Sequence, residues 1–169
     1  MNSHRGFSLI ELLIVVAIIG IVAAIAIPNL LASRRAANDG SAVSTLRTLF
    51  GANMSYASSS GGGNYAGTAG TVGTSSLTEL ANASLIDSAL GSGEKSGFAF
   101  VGDSTLATPT TLATFYFAAN PTIPSGLLAT GTKRLGVATD GVIRFDTTAA
   151  TLAVRFDATT LAAAAALNN

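Results

Sequence analysis

A long apolar run near the amino terminus is the strongest pattern in the chain. From Phe7 to Ile27, 21 residues in all, the only charged side chain is Glu11. A run of this length can cross a bilayer as a helix, where a charge near the centre costs about 2.5 to 3.5 kcal/mol. Glu11 lies only about 6 Å along such a helix from Phe7, and a position near the headgroups lowers that cost. The pattern predicts a membrane-spanning helix with a carboxylate close to one end.

The helical period continues beyond this run. Apolar residues recur at spacings of three and four, at Val43, Leu46, Phe50, Met54 and Ala57. The spacing predicts one apolar stripe on a helix that ends at about Ser58 and packs on a globular head. Pro28 removes the helical hydrogen bond to the carbonyl of Ala24 and should introduce a kink, and Gly20 is a second weak point.

A loop and a short helix are expected next. Residues 58–75 contain six glycines among many Ser and Thr residues, which predicts an exposed loop. Ser76 and Glu79 fit a capping box, in which Ser76 caps a short helix through about Asn82 and Glu79 reaches back.

From Ser96 onward the period changes to two. Alternating runs occupy residues 98–101, 112–119, 133–146 and 152–156. The third run reads as a hairpin with a type I′ turn at Asp140-Gly141. That register places Ala138, Ile143 and Phe145 on one face and Lys133, Arg144 and Asp146 on the other. The expected fold is α+β, a long amino-terminal α-helix packed on a four-stranded antiparallel sheet.

Composition and charge narrow the chemistry. Only 11% of the residues are charged, against about 25% in an ordinary soluble domain, and the formal net charge is zero. No strong field is available to steer nucleic acid, although binding of nucleic acid stays open. The chain has no Cys, and its one His is His4. Loss of a leader containing His4 would exclude thiol nucleophiles, histidine bases and zinc sites of the Cys or His type. We expect no catalytic residue, no cofactor and no metal site.

Two other candidate sites are weak. Residues 91–97 look like a phosphate-binding loop, but Glu94 stands directly before Lys95 where the Walker pattern requires Gly, so a turn is preferred. Basic residues of the expected sheet are interleaved with acidic ones, which favours solvated or cross-strand pairs over a basic patch. The residues concerned are Lys133, Arg134, Arg144 and Arg155 with Asp140, Asp146 and Asp157. The acidic residues leave calcium binding open, without a compact loop of ligands.

The start of the chain resembles the signature of type IV pilins and type II secretion pseudopilins. The matching stretch is Arg5-Gly6-Phe7-Ser8-Leu9-Ile10-Glu11-Leu12-Leu13-Ile14-Val15-Val16, followed by an apolar helix and Pro28. The resemblance implies that a prepilin peptidase cuts between Gly6 and Phe7 and methylates the new amine of Phe7. It also implies that Glu11 pairs with the terminal amine of a neighbouring subunit during assembly, and that the stretch from Gly20 to Pro28 can lose helical structure in filaments. Many pilins staple the carboxy-terminal loop with a disulfide, which a chain without Cys cannot do.

An ordinary secretory signal competes with this interpretation. It requires a small-residue cleavage site after the apolar stretch, and Ala23-Ala24-Ile25-Ala26 is a weak version of one. Glu11 inside the apolar region and a leader of only six residues argue against it.

The resemblance implies a ladle-shaped structural subunit that is not an enzyme. The expected segments are a leader (1–6), a transmembrane and assembly helix (7–28), an amphipathic helix (29–58), an αβ-loop with a short helix (59–95) and a sheet with its tail (96–169). The precursor would cross the inner membrane once with its head outside the cytoplasm, and then join a cell-surface pilus. Its partners would be membrane lipid before assembly, the prepilin peptidase, the inner-membrane assembly platform and copies of itself.

Two alternatives stay open. A pseudopilin of a type II secretion system would form a short periplasmic filament that drives export, and a membrane-anchored monomeric binding module could use the same span. For a filament, the charged residues just beyond the span are candidates for intersubunit ion pairs. These are Arg34, Arg35, Asp39 and Arg47.

Overall fold

The computed structural model describes residues 7–167. The chain divides into two compact units, the first ending at Arg34 and the second beginning at Arg35. In chain order, the elements are α1 (Leu9–Ser59), α2 (Ser75–Asn82), α3 (Ser88–Gly91), β1 (Glu94–Lys95), β2 (Phe98–Thr105), β3 (Thr114–Pro121), β4 (Arg134–Ala138), β5 (Ile143–Asp146), α4 (Ala158–Ala163) and β6 (Ala165–Ala166). The predictions that concern residues 1–6, including the cleavage position at Gly6, lie outside the described residues.

The six strands form one antiparallel sheet in sequential order, β1-β2-β3-β4-β5-β6. The α+β prediction is confirmed, but the sheet has six strands rather than four. The two additional strands, β1 and β6, each contain two residues, which is too short for a period of two to show in the sequence. They lie at the two edges, where short strands leave little backbone open to another chain.

The alternating run at 152–156 is a turn and not a strand. The N–H of Thr151 donates to the carbonyl of Thr148 and that of Val154 to the carbonyl of Thr151. The carbonyls of Leu152 and Val154 accept hydrogen bonds from the side-chain amide of Asn120, at 2.8 and 2.9 Å. A buried amide therefore satisfies backbone groups that a neighbouring strand would otherwise pair.

The second unit is built around one face of α1. The buried residues of this helix are Asp39, Ala42, Thr45, Leu46, Leu49, Ala52 and Asn53. Leu46 and Leu49 are completely buried among phenylalanines and leucines of the sheet and of α2, and burying each stabilises the fold by about 1.5 to 3 kcal/mol. The expected stripe is rotated by about one position, because Met54 is 39% exposed. The true stripe includes Asp39 and Asn53, which a search for apolar residues rejects.

The type I′ turn lies at Ser96-Gly97 and not at Asp140-Gly141. Ser96 and Gly97 have φ values of 50° and 74° and connect the paired residues Lys95 and Phe98. Positive φ at both central residues defines a type I′ turn. In the described residues the only non-glycine positions with positive φ are Ser84 and Ser96, so Asp140 does not meet this requirement.

The faces of the β4-β5 hairpin also differ from the expected ones. Leu135 pairs with Phe145 and Val137 with Ile143, and all four side chains belong to the core on the α1 side. Ala138 packs instead with Phe156 and Leu161 on the opposite face. The ammonium of Lys133 lies 5.6 Å from the ring centroid of Phe145, on the α1 side. The turn between β4 and β5 is longer than the predicted two residues. The side chains of β4 therefore face opposite sides of the sheet from those expected relative to β5.

Glu79 does not form the expected capping box. Thr74 occupies the N-cap position of α2 and makes no side-chain cap bond, and Ser76 is buried. The carboxylate of Glu79 accepts hydrogen bonds from the Tyr56 hydroxyl at 2.5 Å and from the Gly67 N–H at 2.6 Å. The hydrogen bond between Tyr56 and Glu79 is the main reason that the pKa of Tyr56 is raised, and burial is the next largest cause. Glu79 thus joins α1, the glycine-rich loop and α2.

Replacing Glu79 should loosen the glycine-rich loop. Glu79→Ala removes both hydrogen bonds and should lower the free energy of unfolding by about 1 to 3 kcal/mol. Tyr56→Phe, the matched control, removes only one of them and should cost less. Urea denaturation measures both changes, and limited proteolysis should cut within residues 60–75 faster in Glu79→Ala. Equal losses in the two variants would contradict the role of the Gly67 contact.

Arg134 and Asp146 form the most enclosed ion pair of the sheet. They lie opposite each other on β4 and β5, with 2.8 Å between nitrogen and oxygen. The guanidinium of Arg134 also lies 4.1 Å from the ring centroid of Phe156 and donates to the carbonyl of Val154. The preference for cross-strand pairing is confirmed at this position.

Asp146 also accepts hydrogen bonds from nearby threonines. The hydroxyl of Thr151 donates to it at 2.7 Å and the N–H of Thr148 at 2.8 Å. These donors, followed by Arg134, hold the pKa of the Asp146 carboxyl well below its usual range. The pair and its threonine partners therefore connect the sheet to the turn at 148–154.

This carboxyl should produce a pH-dependent stability. A carboxyl whose pKa is lowered on folding stabilises the fold above its unfolded pKa of about 3.9, and that contribution disappears as pH falls toward the folded pKa. Asp146→Asn should therefore lower the urea midpoint at pH 7, with a gap to wild type that narrows below about pH 4. Glu94→Gln, a change at an exposed carboxylate, is the control and should leave the midpoint unchanged at pH 7. A gap for Asp146→Asn that stays constant down to pH 3 would contradict the assignment.

Candidate functional site

The first turn of α1 positions the carboxylate of Glu11. Helix α1 begins at Leu9, and the backbone N–H of Ser8 donates to Oε2 of Glu11 at 2.9 Å. Glu11 thereby satisfies a backbone N–H that the helix itself leaves free, which is one half of a capping box. Its negative charge also interacts favourably with the helix dipole. The amide that it binds is one residue from the nitrogen of Phe7, whose side chain is 84% exposed.

The apolar residues that follow are exposed among the described residues 7–167. From residue 9 to residue 27 every position of α1 is exposed except Ala23, which is half-buried. This helix is long and apolar enough to cross a membrane, by length and composition, and none of its most apolar window is buried. A helix that is apolar on all sides normally lies in lipid or inside a larger assembly. The exposed leucines and isoleucines thus form a contact surface that this chain does not use by itself.

Gly20 and Pro28 both lie within the continuous helix. A Cβ atom added to Gly20 would meet no other atom within 4 Å, so packing in the chain does not explain the glycine. Pro28 lacks the N–H that would bond to the carbonyl of Ala24, and each such missing bond weakens a helix locally. The segment between them therefore combines two residues of low helix propensity.

Arg35 binds a distant loop of its own chain. Its guanidinium donates to the carbonyls of Gly126, Leu127 and Ala129, at 3.1, 2.8 and 3.2 Å. Sequence analysis missed this contact, since more than 90 residues separate the partners. The only signal in the sequence is an apolar pair, Leu127-Leu128, that directly follows the turn-forming residues Ser125-Gly126.

Asp39 also bonds within its own chain. The side chain is 7% exposed, and its two carboxylate oxygens accept from the N–H of Thr132 at 3.0 Å and from its hydroxyl at 2.5 Å. A carboxylate in this position is used in holding residues 131–132 against α1. It is therefore a poor candidate for an ion pair with another subunit, contrary to its place among the expected ones.

Arg34 and Arg47 remain available for contacts with other molecules. Both are exposed, and neither takes part in the three ion pairs found within residues 7–167. Those pairs join Lys95 to Asp87, Arg134 to Asp146 and Arg144 to Asp140. Four residues were candidates for intersubunit ion pairs. Two of them, Arg34 and Arg47, are exposed, and the other two bond within the chain.

Charged residues that are candidate binding groups pair with carboxylates in the head. Lys95 of the glycine-rich stretch at 91–97 pairs with Asp87 at 2.6 Å. Arg144 pairs with Asp140 at 2.7 Å, and this bond is the main cause of the lowered pKa of the Asp140 carboxyl. Within residues 7–167 no group of three or more His, Cys, Asp or Glu side chains could hold a metal ion.

Comparison with known proteins identifies the amino-terminal segment. The family described as "Prokaryotic N-terminal methylation motif" matches residues 1–27. The chain is 67% identical over 39 residues to the type IV wide pilus major component PilA4 of Thermus thermophilus, covering 23% of this chain and 30% of that protein. It is 51% identical over 53 residues to the type IV major pilin protein PilA of Myxococcus xanthus, covering 31% of this chain and 24% of that protein.

A secretion protein is also similar. Identity to the type II secretion system core protein G of Klebsiella pneumoniae is 38% over 52 residues, covering 31% of this chain and 37% of that protein. No solved structure matches the chain significantly. The matches span only about a quarter to just over a third of the length of these curated relatives. Residues 1–27 of the chain carry the prokaryotic N-terminal methylation motif, and the similar proteins are two type IV pilins and a type II secretion protein.

Proposed function

We propose that this chain is a structural subunit of a type IV pilus, which polymerises through its amino-terminal helix into a cell-surface filament. The observation that carries the proposal is the apolar helix surface from residue 9 to residue 27, exposed on all sides and bearing a single carboxylate. Such a surface requires lipid or other apolar surfaces around it. The methylation motif at residues 1–27 and the similarity of the chain to two type IV pilins support filament formation as the final state.

The proposed sequence of events begins in the inner membrane. The precursor is inserted as a single span with its head outside the cytoplasm. A prepilin peptidase cuts between Gly6 and Phe7 and methylates the new amine of Phe7. The assembly platform then moves the helix out of lipid into the filament, where helices of other copies replace the acyl chains. In this reading the protein is structural and performs no catalysis.

Glu11 has a specific role in this transfer. A carboxylate inside an apolar filament centre needs a positive partner, because an uncompensated charge in such surroundings costs several kcal/mol. The amine of Phe7 in a neighbouring copy is the proposed partner. Glu11 already accepts a hydrogen bond from the amide next to Phe7 in its own chain, so its carboxylate is at the correct end of the helix for this exchange.

Two further features fit a filament. The segment from Gly20 to Pro28 is the proposed place where the helix loses turns on assembly, because both residues favour an interrupted helix. Arg34 and Arg47 are proposed to pair with carboxylates of neighbouring copies. Asp39 and Arg35 are left out of this set because both are bonded within the head.

A type II secretion pseudopilin is the second candidate. The similarity of this chain to the type II secretion system core protein G supports it. The two candidates use the same helix and the same Glu11. They differ in whether the filament reaches the cell surface.

Imaging sheared surface material tests the proposal. Electron microscopy of filaments from the native host, with mass spectrometry of the subunit, should find this chain beginning at a methylated Phe7. Glu11→Gln removes the charge at nearly constant shape and should leave cleavage and membrane insertion intact while strongly reducing filament yield. Leu12→Ala, the adjacent control, keeps the charge and should assemble better than Glu11→Gln.

Two outcomes would overturn parts of this account. Normal filaments from Glu11→Gln would exclude the pairing with the Phe7 amine. A precursor that is cleaved and never appears outside the cell envelope would favour the secretion candidate. Helix content of the purified variant, measured by circular dichroism in detergent, shows whether the loss comes only from a weakened first turn.

Charge reversal at Arg34 tests the proposed ion pairs. Arg34→Glu should reduce filament yield while leaving the free energy of unfolding of the purified subunit, measured in urea, within about 0.5 kcal/mol of wild type, because this arginine is exposed. Arg155→Glu, a change at an exposed arginine of the head, is the matched control. Equal loss of yield in both variants would argue for a general charge effect and against a specific pair.

A further inference from the structure

Three large apolar side chains are exposed on the loop of residues 122–130. Ile123 is 43% exposed, Leu127 67% and Leu128 68%. They follow β3 and precede β4, on the segment that Arg35 binds. Such a group on an otherwise Ser- and Thr-rich surface indicates a contact with apolar material.

The loop is held in this exposed position by hydrogen bonds. Arg35 donates to three of its carbonyls, and the side-chain amide of Asn38 donates to the carbonyl of Thr130 at 2.7 Å. Within the loop, the N–H of Thr130 donates to the carbonyl of Ile123 at 2.9 Å. These bonds fix the backbone, so Leu127 and Leu128 are presented outward by a braced loop.

The charges of the region favour an anionic surface. Between Pro121 and Arg134 the sequence contains no acidic residue and contains Lys133. Arg35 takes part in none of the ion pairs among residues 7–167, so its positive charge is not neutralised by a carboxylate there. The carboxylate of Asp39, which bonds Thr132, is buried. An exposed leucine pair with adjacent cations is the composition of an interfacial lipid contact.

Arg35 lies close in sequence to the apolar run. Arg35 follows Ile27, the last residue of the apolar run, by eight positions, or about 12 Å of helical rise. The headgroup region on each side of a bilayer is about 5 to 8 Å thick. Arg35 would therefore lie a few ångströms beyond this region when the run spans the membrane, a distance that side chains of the tethered loop can bridge.

We propose that, before assembly, the 122–130 loop docks on the membrane that holds the span, with Leu127 and Leu128 inserted among the lipid headgroups. This inference rests on the proposed membrane precursor. Arg35 positions the loop, and its positive charge with that of Lys133 favours anionic headgroups. The contact would orient the head on the membrane, and it must be released when the helix leaves lipid for the filament.

Single cysteines report this contact directly, because the chain has no cysteine of its own. The full chain is reconstituted in vesicles of phosphatidylethanolamine and phosphatidylglycerol that contain a headgroup-level lipid quencher. A fluorophore is attached in turn to Leu127→Cys, Leu112→Cys and Ile19→Cys. Leu112 is the matched control because it is 88% exposed and precedes β3, whereas the loop follows that strand, about 23 Å away along it. Quenching at residue 127 should exceed that at residue 112 several-fold.

The third site separates this inference from the proposed function. Quenching at residue 19 by a quencher placed deep in the acyl chains reports insertion of the span. Insertion at residue 19, with equal quenching at 127 and 112, would overturn the docking and leave the membrane precursor intact. Absence of quenching at residue 19 would overturn the membrane precursor and the docking together.

A second variant tests the tether. Arg35→Gln in the Leu127→Cys background should reduce quenching at residue 127 toward the level at residue 112 and leave residue 19 unchanged. Quenching that persists would overturn the role of Arg35. If residue 127 is unquenched in vesicles and becomes shielded only in assembled filaments, a second copy is the occupant of the loop and the lipid contact is excluded.

Discussion

The apolar first half of α1 is the constraint on which the rest of this molecule depends. A helix satisfies its own backbone hydrogen bonds, so the segment is stable in lipid without any partner. Its side chains, however, find no cover in the chain, since nearly all positions from 9 to 27 are exposed. In the proposed assembly, this surface exchanges lipid for the apolar helices of other copies.

Beyond Arg35 the same helix becomes the centre of a core. Leu46 and Leu49 are buried against the sheet, while Asp39 and Asn53 on the same face bind loops. Asp39 holds Thr132, and the side-chain oxygen of Asn53 accepts from the N–H of Ala66 at 2.9 Å. Buried polar groups need partners, and here the partners are backbone groups of the loops and the hydroxyl of Thr132.

The loops of the head are held by polar ties in addition to hydrophobic contacts such as that of Tyr65 with Phe115. Glu79 binds the glycine-rich loop, Asn120 the turn after β5, and Arg35 the loop after β3. Each tie connects one side chain with backbone groups that would otherwise be left to water. Such ties fix a loop without covering it, which explains how Leu127 and Leu128 remain exposed on a well-braced segment.

Local pattern was sufficient for several parts of this structure. The apolar run, the placement of Glu11, the helix beyond the run, the α+β class and the strands about Phe98 and Phe117 all follow from residues close together in sequence. So does the methylation motif, which depends on consecutive residues. These features are determined locally because helix period, strand alternation and motif chemistry act over a few residues.

Tertiary structure decided the remainder, because contacts between distant residues outweighed local preference. Glu79 does not form the capping box with Ser76, because its carboxylate accepts hydrogen bonds from Tyr56 and Gly67. The alternating run at 152–156 is a turn, in which the carbonyls of Leu152 and Val154 accept hydrogen bonds from the side chain of Asn120. Arg34, Arg35, Asp39 and Arg47 are all charged residues just beyond the apolar run. Arg34 and Arg47 are exposed, whereas Arg35 and Asp39 bond to partners in the head that are more than 90 residues away in sequence. The sequence by itself determined which segment needs an apolar partner. Only the folded head decided which of the charged residues beyond that segment are exposed and which bond within the head.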